Sequence, residues 1–497
     1  MTPGSTARRV PSVGILPLMA VAEFMLTLDL SIVNVALPAI RGDLGFSPSS
    51  LQWVVNGYAL TFAGFLLLGG RAADLFGGRL VFLGALSVFT IASLACGLAT
   101  ADWALVASRV VQGLSAGVLA PATLSILTTT YRDPEARNRA LAIWTAVALG
   151  GGAIGGLLGG VLTGGLSWRW VFFVNVPVGA VLLALAPRRL PRTAPDSGRR
   201  QLDFGGAVTV TGGLTALVWG LIRAEEAGWD SGEVLVAFAI AAVLLGTFVL
   251  LETRIARAPL VPFSAFRSRA LTAGNLLSFL SFIPVMATWF FLTLYLQSVR
   301  DFTPMQTGIL FLPMSLAVVG GSQLSFRVIA RLDARGLFLV GGLVAAAGLA
   351  WLGLLSADTG VAWVILPASV AMLGGGLMFA PIMVAATSGV APEQGGLASG
   401  LVNTTRQIGG ALGLAALGTM AAAYAGAGQP EALSTGYAAA LEVGAAIYVV
   451  TAIVGTVALP VRLGSPGPQR GVRPDRESEL RLRGDGPPHP NDDRLVA

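Results

Sequence analysis

Residues 28–38 read LDLSIVNVALP, an apolar run interrupted by one carboxylate, Asp29. A charge at the centre of a bilayer costs about 2.5–3.5 kcal/mol on insertion scales, so stability alone would place Leu there. A second acid, Glu23, stands six residues earlier. At 100° per residue the two lie about 120° apart on a helix, whereas Glu23 and Asn34 fall within about 20° of each other. The helix therefore carries a Glu23/Asn34 stripe and a separate Asp29 face. Arg109, in RVVQGLSAG (109–117), is the basic residue at a matching depth. Counted from the far ends of their spans, Asp29 lies about 14 Å deep and Arg109 about 9 Å. The difference is within the combined reach of the two side chains, so contact is expected, directly or through water. Such a pair can be a static tie between helices. It can also exchange a proton, because burial and a neighbouring guanidinium push a carboxyl's proton affinity in opposite directions. Asp29, Arg109 and Glu23 are thus the candidates for proton coupling. The only His is His489, close to the C-terminus, so carboxylates are the available proton carriers near neutral pH.

Arg406 is a second basic residue inside an apolar segment, with no acid at an obvious matching depth; Glu442, in the last span, is the acid of the C-terminal half to consider, at a different depth. It can serve backbone carbonyls or an anionic substrate, and the two readings stand level. Trp53, Asn56 and Tyr58, together with Trp289, are candidates for a substrate cavity, as is Asn34. Aromatic residues near span ends also act as interfacial anchors. A greasy, aromatic cavity with one or two acids suits small hydrophobic or cationic compounds. No H-E-x-x-H and no phosphate-binding loop occurs, so neither a catalytic site, a metal nor ATP use is expected.

These residues need elements that cross a membrane. Hydrophobic residues make up 54% of the 497 and charged ones only 12%, against about 25% charged in soluble proteins. Fourteen apolar runs are long enough to span the hydrocarbon as helices: roughly 13–38, 51–70, 80–99, 103–127, 140–163, 170–187, 204–222, 233–252, 270–298, 306–326, 336–356, 361–385, 398–424 and 436–460. All 32 basic residues are Arg. Nineteen fall in the N-terminus and even-numbered loops, and four (Arg41, Arg169, Arg223, Arg300) in odd-numbered ones. The positive-inside rule then puts both termini in the cytoplasm. The net charge of +6 is thereby a matter of topology, and no nucleic-acid partner is expected. Cys96 is the single cysteine, so no internal disulfide can form.

Features recur eight helices apart. GVLAP (117–121) is echoed by GLMFAP (376–381), the Gly-rich 150–160 by GGALG (409–413), and Asp74-x-x-Gly77 by Asp333-x-x-Gly336. Two parallel six-helix halves about a central site are a transporter plan. The expected domains are a cytoplasmic N-terminus (1–12), an N-terminal bundle (13–190), linkers with two inserted helices (191–269), a C-terminal bundle (270–460) and a polar, disordered tail (461–497). The inserted pair is expected to carry no transport chemistry.

The loop GGRAADLFGGRL (69–80) resembles the signature of the major facilitator superfamily, through Gly70, Asp74, Gly77, Gly78 and Arg79. LDLSIVNVALP and RVVQGLSAG resemble motifs of its fourteen-helix drug:proton antiporters. Residues 152–160, GAIGGLLGG, occupy the place of the antiporter motif of helix 5. Gly151, Gly155, Gly156, Gly159 and Gly160 are its glycines, with Gly156 where the family usually has Pro. SWRWVFFVNVPVG (167–179), LDFGG (202–206) and GLASGLVNTTRQIGGALG (396–413) are also similar to this group. The resemblance implies an all-α membrane protein of fourteen transmembrane helices, two six-helix bundles plus an insert. It further implies a monomeric proton-coupled antiporter in the cytoplasmic membrane that exports drugs by alternating access. The proton gradient would drive it without a cofactor, and protons, membrane lipid and the exported compounds would be its partners. Asp74 and Arg79 would form a gating loop that latches the halves, or Asp74 would cap the next helix. A substrate-specific carrier of the same superfamily is the alternative.

Overall fold

The computed structural model describes residues 14–131, 133–191, 202–256, 259–261, 263–329, 333–387, 395–425 and 429–459. The first twelve residues and the tail after Pro460, including His489, lie outside them. The described residues contain helices and no strand. Thirteen helices are long and apolar enough to cross a membrane. They are α1 Ile15–Leu44, α2 Ser50–Phe76, α3 Gly78–Leu98, α4 Asp102–Thr130, α5 Pro134–Gly165, α6 Trp170–Arg189, α7 Phe204–Ala224, α8 Gly232–Ile255, α9 Arg269–Val299, α10 Pro304–Val328, α11 Ala334–Leu352, α12 Ala362–Ala386 and α14 Pro430–Ala458. Between the last two runs α13, Gly395–Ala425, 31 residues long. Asn403, Thr404, Thr405, Arg406 and Gln407 follow one another in it.

The boundaries follow local chemistry. Asp133 caps α5, accepting from the Ala136 N–H at 2.9 Å with Pro134 in the first turn. Ser231 and Ser268 cap α8 and α9 in the same way. Thr303 and Gln306 form a reciprocal capping box that starts α10. Such caps satisfy N–H groups that the helix itself cannot. Gly77 joins α2 to α3 with φ 85°, a conformation that side chains resist.

Helix pairing repeats with an offset of eight. α1 packs on α5, α2 on α4, α3 on α4 and on α6; correspondingly α9 packs on α13, α10 on α12, α11 on α12 and on α14. Two six-helix bundles result. They meet along α2/α13 and α5/α10, contacts that exchange when the bundles are swapped. α7 and α8 pair with each other, and α7 rests on both α2 and α13. The inserted pair thus covers one of the two seams. Below, the face where α1 begins is the near face and the face where it ends is the far face.

Candidate functional site

Asp29 is fully buried, and Arg109 is 1% exposed. Arg109 Nη1 lies 2.7 Å from Asp29 Oδ2, a direct ion pair between α1 and α4. Asp29 Oδ1 also accepts from Gln112 Nε2 at 2.8 Å and from Asn175 Nδ2 at 2.7 Å. Gln112 Oε1 accepts from Arg109 Nη1 at 2.8 Å, and Arg109 Nε donates to the Val54 carbonyl at 3.0 Å. Ser93 Oγ accepts from both amides and donates to the Phe172 carbonyl at 3.0 Å. Tyr58 lies under the guanidinium, ring centroid to Cζ 4.3 Å. Five helices therefore converge on one carboxylate. Charge-assisted bonds of about 2.7–2.9 Å are the strong class, and a buried pair is stable only when its remaining valences are met. Gln112, Asn175 and Ser93 complete this network and were not among the residues singled out in the sequence. Gln112 sits in the RVVQG motif and Asn175 in FFVNVPVG, so buried amides within those motifs were the available signal.

Glu23, on the other face of α1, is 9% exposed. Its carboxylate receives one hydrogen bond, from Thr123 Oγ1 at 3.4 Å, near the outer limit for such a bond. No cation pairs with it among the described residues. Asn34 lies on the same stripe. Its Nδ2 reaches the Leu30 and Ser31 carbonyls only at 3.4 Å, and its buried Oδ1 has no partner among the described residues. The two buried acids of α1 are thus in opposite situations, one saturated and one nearly bare.

The helix 5 glycines divide between two neighbours. A Cβ at Gly151, Gly155 or Gly159 would strike α1, at Thr27, Ser31 and the Ile32 carbonyl respectively. Gly156 and Gly160 face α10 across the bundle seam: a Cβ on Gly160 would lie 2.4 Å from the Pro304 carbonyl oxygen. Small residues let helix backbones approach this closely. The contact sits in the far-face half of α5. The near-face half, residues 134–148, buries only Ala140, so the close contact along this seam is at the far face.

The stretch from Gly70 to Arg79 turns from α2 into α3. Arg79 donates to the Leu190 carbonyl at 3.1 Å and the Pro187 carbonyl at 2.8 Å, both at the end of α6. It therefore ties two helices of one bundle, because two carbonyls lie within its reach there. From the same stretch Arg71 bonds to the Pro259 carbonyl, in the segment between α8 and α9. α3 starts at Gly77, which as N-cap offers no side chain of its own. A Cβ on Gly78 would press on Ile126 of α4, and one on Gly70 would only touch Pro121.

The candidate cavity residues scatter. Tyr58 belongs to the Asp29 network. Asn56 is fully buried in α2 with neither side-chain atom bonded among the described residues. Trp53 faces outward, into a cavity of about 760 Å³ between α2/α4 and the inserted helices. Thr61, Val110, Thr211 and Trp219 share its walls, so the insert and the N-terminal bundle line an open groove together. Trp289 stands edge-on to Phe311, centroids 5.1 Å apart. Arg406 donates to Asn403 Oδ1 at 2.6 Å and lies over Phe282.

Comparison with known proteins agrees with this architecture. The chain is 44% identical to a cephamycin export protein of Amycolatopsis lactamdurans, over 94% of this chain and 96% of that one. It is 38% identical to a puromycin resistance protein of Streptomyces alboniger, over 89% and 90%. A tetracenomycin C resistance and export protein of Streptomyces glaucescens is 37% identical over 86% and 78%. Among solved structures, an auto-inhibited POT family peptide transporter superposes with TM-score 0.64 at 16% identity, covering 89% of this chain and 96% of its own. A D-xylose-proton symporter gives 0.62 at 13%, over 90% and 98%. At such identities the structures speak for the fold alone. The family model of the Major Facilitator Superfamily matches residues 19–414. With its two equivalent bundles and its kinship to antibiotic export and resistance proteins, the chain belongs to the Major Facilitator Superfamily and is a multi-pass membrane transporter.

Proposed function

We propose that this transporter is a proton-coupled antiporter that exports amphiphilic compounds, antibiotics among them, across the cytoplasmic membrane by alternating access. Both termini would be cytoplasmic, from the Arg distribution. The near face is then the cytoplasmic one, and the close α5/α10 contact lies toward the opposite, outer face. The functions for which the relatives are named, cephamycin export and tetracenomycin C export, support an outward direction.

The observation that carries proton coupling is the unequal state of the two buried acids on α1. Asp29 has three short partners, a guanidinium among them. Glu23 has one long hydrogen bond and no cation among the described residues. A proton, or a positively charged group on the substrate, is what can neutralise Glu23. Exchange at Glu23 gives antiport: the carboxyl releases its proton inward, the substrate binds, and a proton from outside reloads it after release. Asp29 and Arg109 hold α1 against α4 so that Glu23 keeps its place. The experiment is efflux of a fluorescent dye from pump-deficient cells, with and without a protonophore, for wild type and Glu23→Gln. Accumulation should rise on uncoupling in wild type. The variant should lose gradient-driven efflux and keep substrate–substrate exchange. Efflux by Glu23→Gln at the wild-type rate in an imposed pH gradient would exclude Glu23 as the coupling group.

A further inference from the structure

Arg406 lies about 16 Å along α13 from its near-face start, well within the span. A guanidinium carries five N–H donors. Among the described residues one bond is made, Nη2 to Asn403 Oδ1 at 2.6 Å. Nε is buried with no acceptor, and no acid pairs with the group among the described residues. The side chain is half-buried rather than sealed. Arg109 is its opposite: buried, paired with a carboxylate and bonded through Nε and Nη1. A lone cation in a low-dielectric interior is costly. The fork left open on Arg406 matches a planar, bidentate anion, which Arg holds better than any other side chain.

The surroundings say what such an anion is attached to. The Phe282 ring centroid lies 5.1 Å from the Arg406 Cζ. Phe282, Met286 and Trp289 follow at i, i+4 and i+7, on one face of α9. Phe282 and Met286 both reach the Gly410 position, one turn beyond Arg406. Trp289 continues to Phe311, whose side chain lies against Gly156 at the bundle seam. An aromatic and thioether stripe about 10 Å long thus runs from the guanidinium to the bundle seam.

We propose that Arg406 anchors a carboxylate or comparable planar anion of the transported compound, with its apolar body along Phe282, Met286 and Trp289. The substrate class is an amphiphile that carries a carboxylate or comparable planar anion. This deepens the exporter reading above and rests on it. Binding is measured by fluorescence with the full-length protein in lipid nanodiscs, using 1-pyrenebutyrate and its neutral methyl ester. Wild type should prefer the carboxylate about 10- to 100-fold, the range of a charge-assisted bond. Arg406→Gln should bring that ratio to about one while the ester's affinity stays within about threefold; Arg406→Lys should keep part of the preference, lacking the planar fork. Equal binding of both probes by wild type, or an unchanged ratio in Arg406→Gln, overturns the proposal. Should Arg406→Gln not fold, Arg406→Lys decides: a ratio equal to wild type overturns it, and a lowered ratio supports it. Export from cells is scored separately. Loss of export of both probes with the binding preference intact would sink the exporter reading and leave the anion site standing. Export of both without a preference would sink only the anion site.

Discussion

Replacing Asp29 by Asn tests what the buried network is for. The amide has the carboxylate's shape, so no cavity is created. The carboxylate accepts from Arg109 at 2.7 Å on one oxygen and from Gln112 at 2.8 Å and Asn175 at 2.7 Å on the other. An amide has one oxygen. If that oxygen serves Gln112 and Asn175, its NH₂ group faces Arg109 Nη1, donor against donor. If it is turned toward Arg109, the NH₂ faces two amide donors. In both arrangements Arg109, 1% exposed, loses its counter-charge. Removing one partner of a buried ion pair costs about 3–5 kcal/mol. The loss of a hydrogen bond to a charged group, about 1.5–3 kcal/mol, is part of that figure rather than additional to it. Asp29→Asn should therefore be destabilised by about 3–5 kcal/mol in unfolding of the purified protein. Adding Arg109→Gln should restore part of the loss, since the neutral amide leaves no unpaired charge in the network. A double-mutant cycle should report a coupling of about 2 kcal/mol or more. Stability of Asp29→Asn within about 0.5 kcal/mol of wild type, or additive single effects, would refute this reasoning. The pair would then be a labile device that moves during transport rather than a fixed tie.

Two further substitutions follow from the seam and the insert. Gly160→Ala places a Cβ 2.4 Å from the Pro304 carbonyl oxygen, a backbone atom that cannot turn aside, whereas Gly156→Ala meets Phe311 side-chain atoms at 3.4 and 3.5 Å, ordinary contact. Labelling of a Thr163→Cys reporter by an impermeant thiol reagent should rise in Gly160→Ala and stay unchanged in Gly156→Ala; equal labelling in the two would rule out this seam as the far-face closure. Glu226, just beyond α7, accepts from Ser49 at 2.5 Å and pairs with Arg223. Because the group is largely exposed, Glu226→Ala should cost below about 1 kcal/mol of global stability while hydrogen exchange in residues 46–52 quickens several-fold; unchanged exchange would show that this tie does not hold the α1–α2 loop.

Apolar run length determined the helices, and Gly, Pro and capping residues determined where they stop. Both are local properties, so the fourteen spans and the eight-helix repeat were legible from composition and order alone. The Asp29–Arg109 contact was legible too, because depth along a helix is a one-dimensional quantity set by residue count. What depth cannot supply is azimuth: which neighbour a helix face meets depends on packing of the whole bundle. Hence Gln112, Asn175 and Ser93 came to Asp29 unannounced. Trp53 turned to the inserted helices instead of the centre, and Arg79 bonded to α6 instead of the other bundle. The glycines of α5 read as one motif in sequence. Only the fold separated them into a face that seats α1 and a face that meets α10, because those partners lie more than a hundred residues away and approach the same helix from different sides.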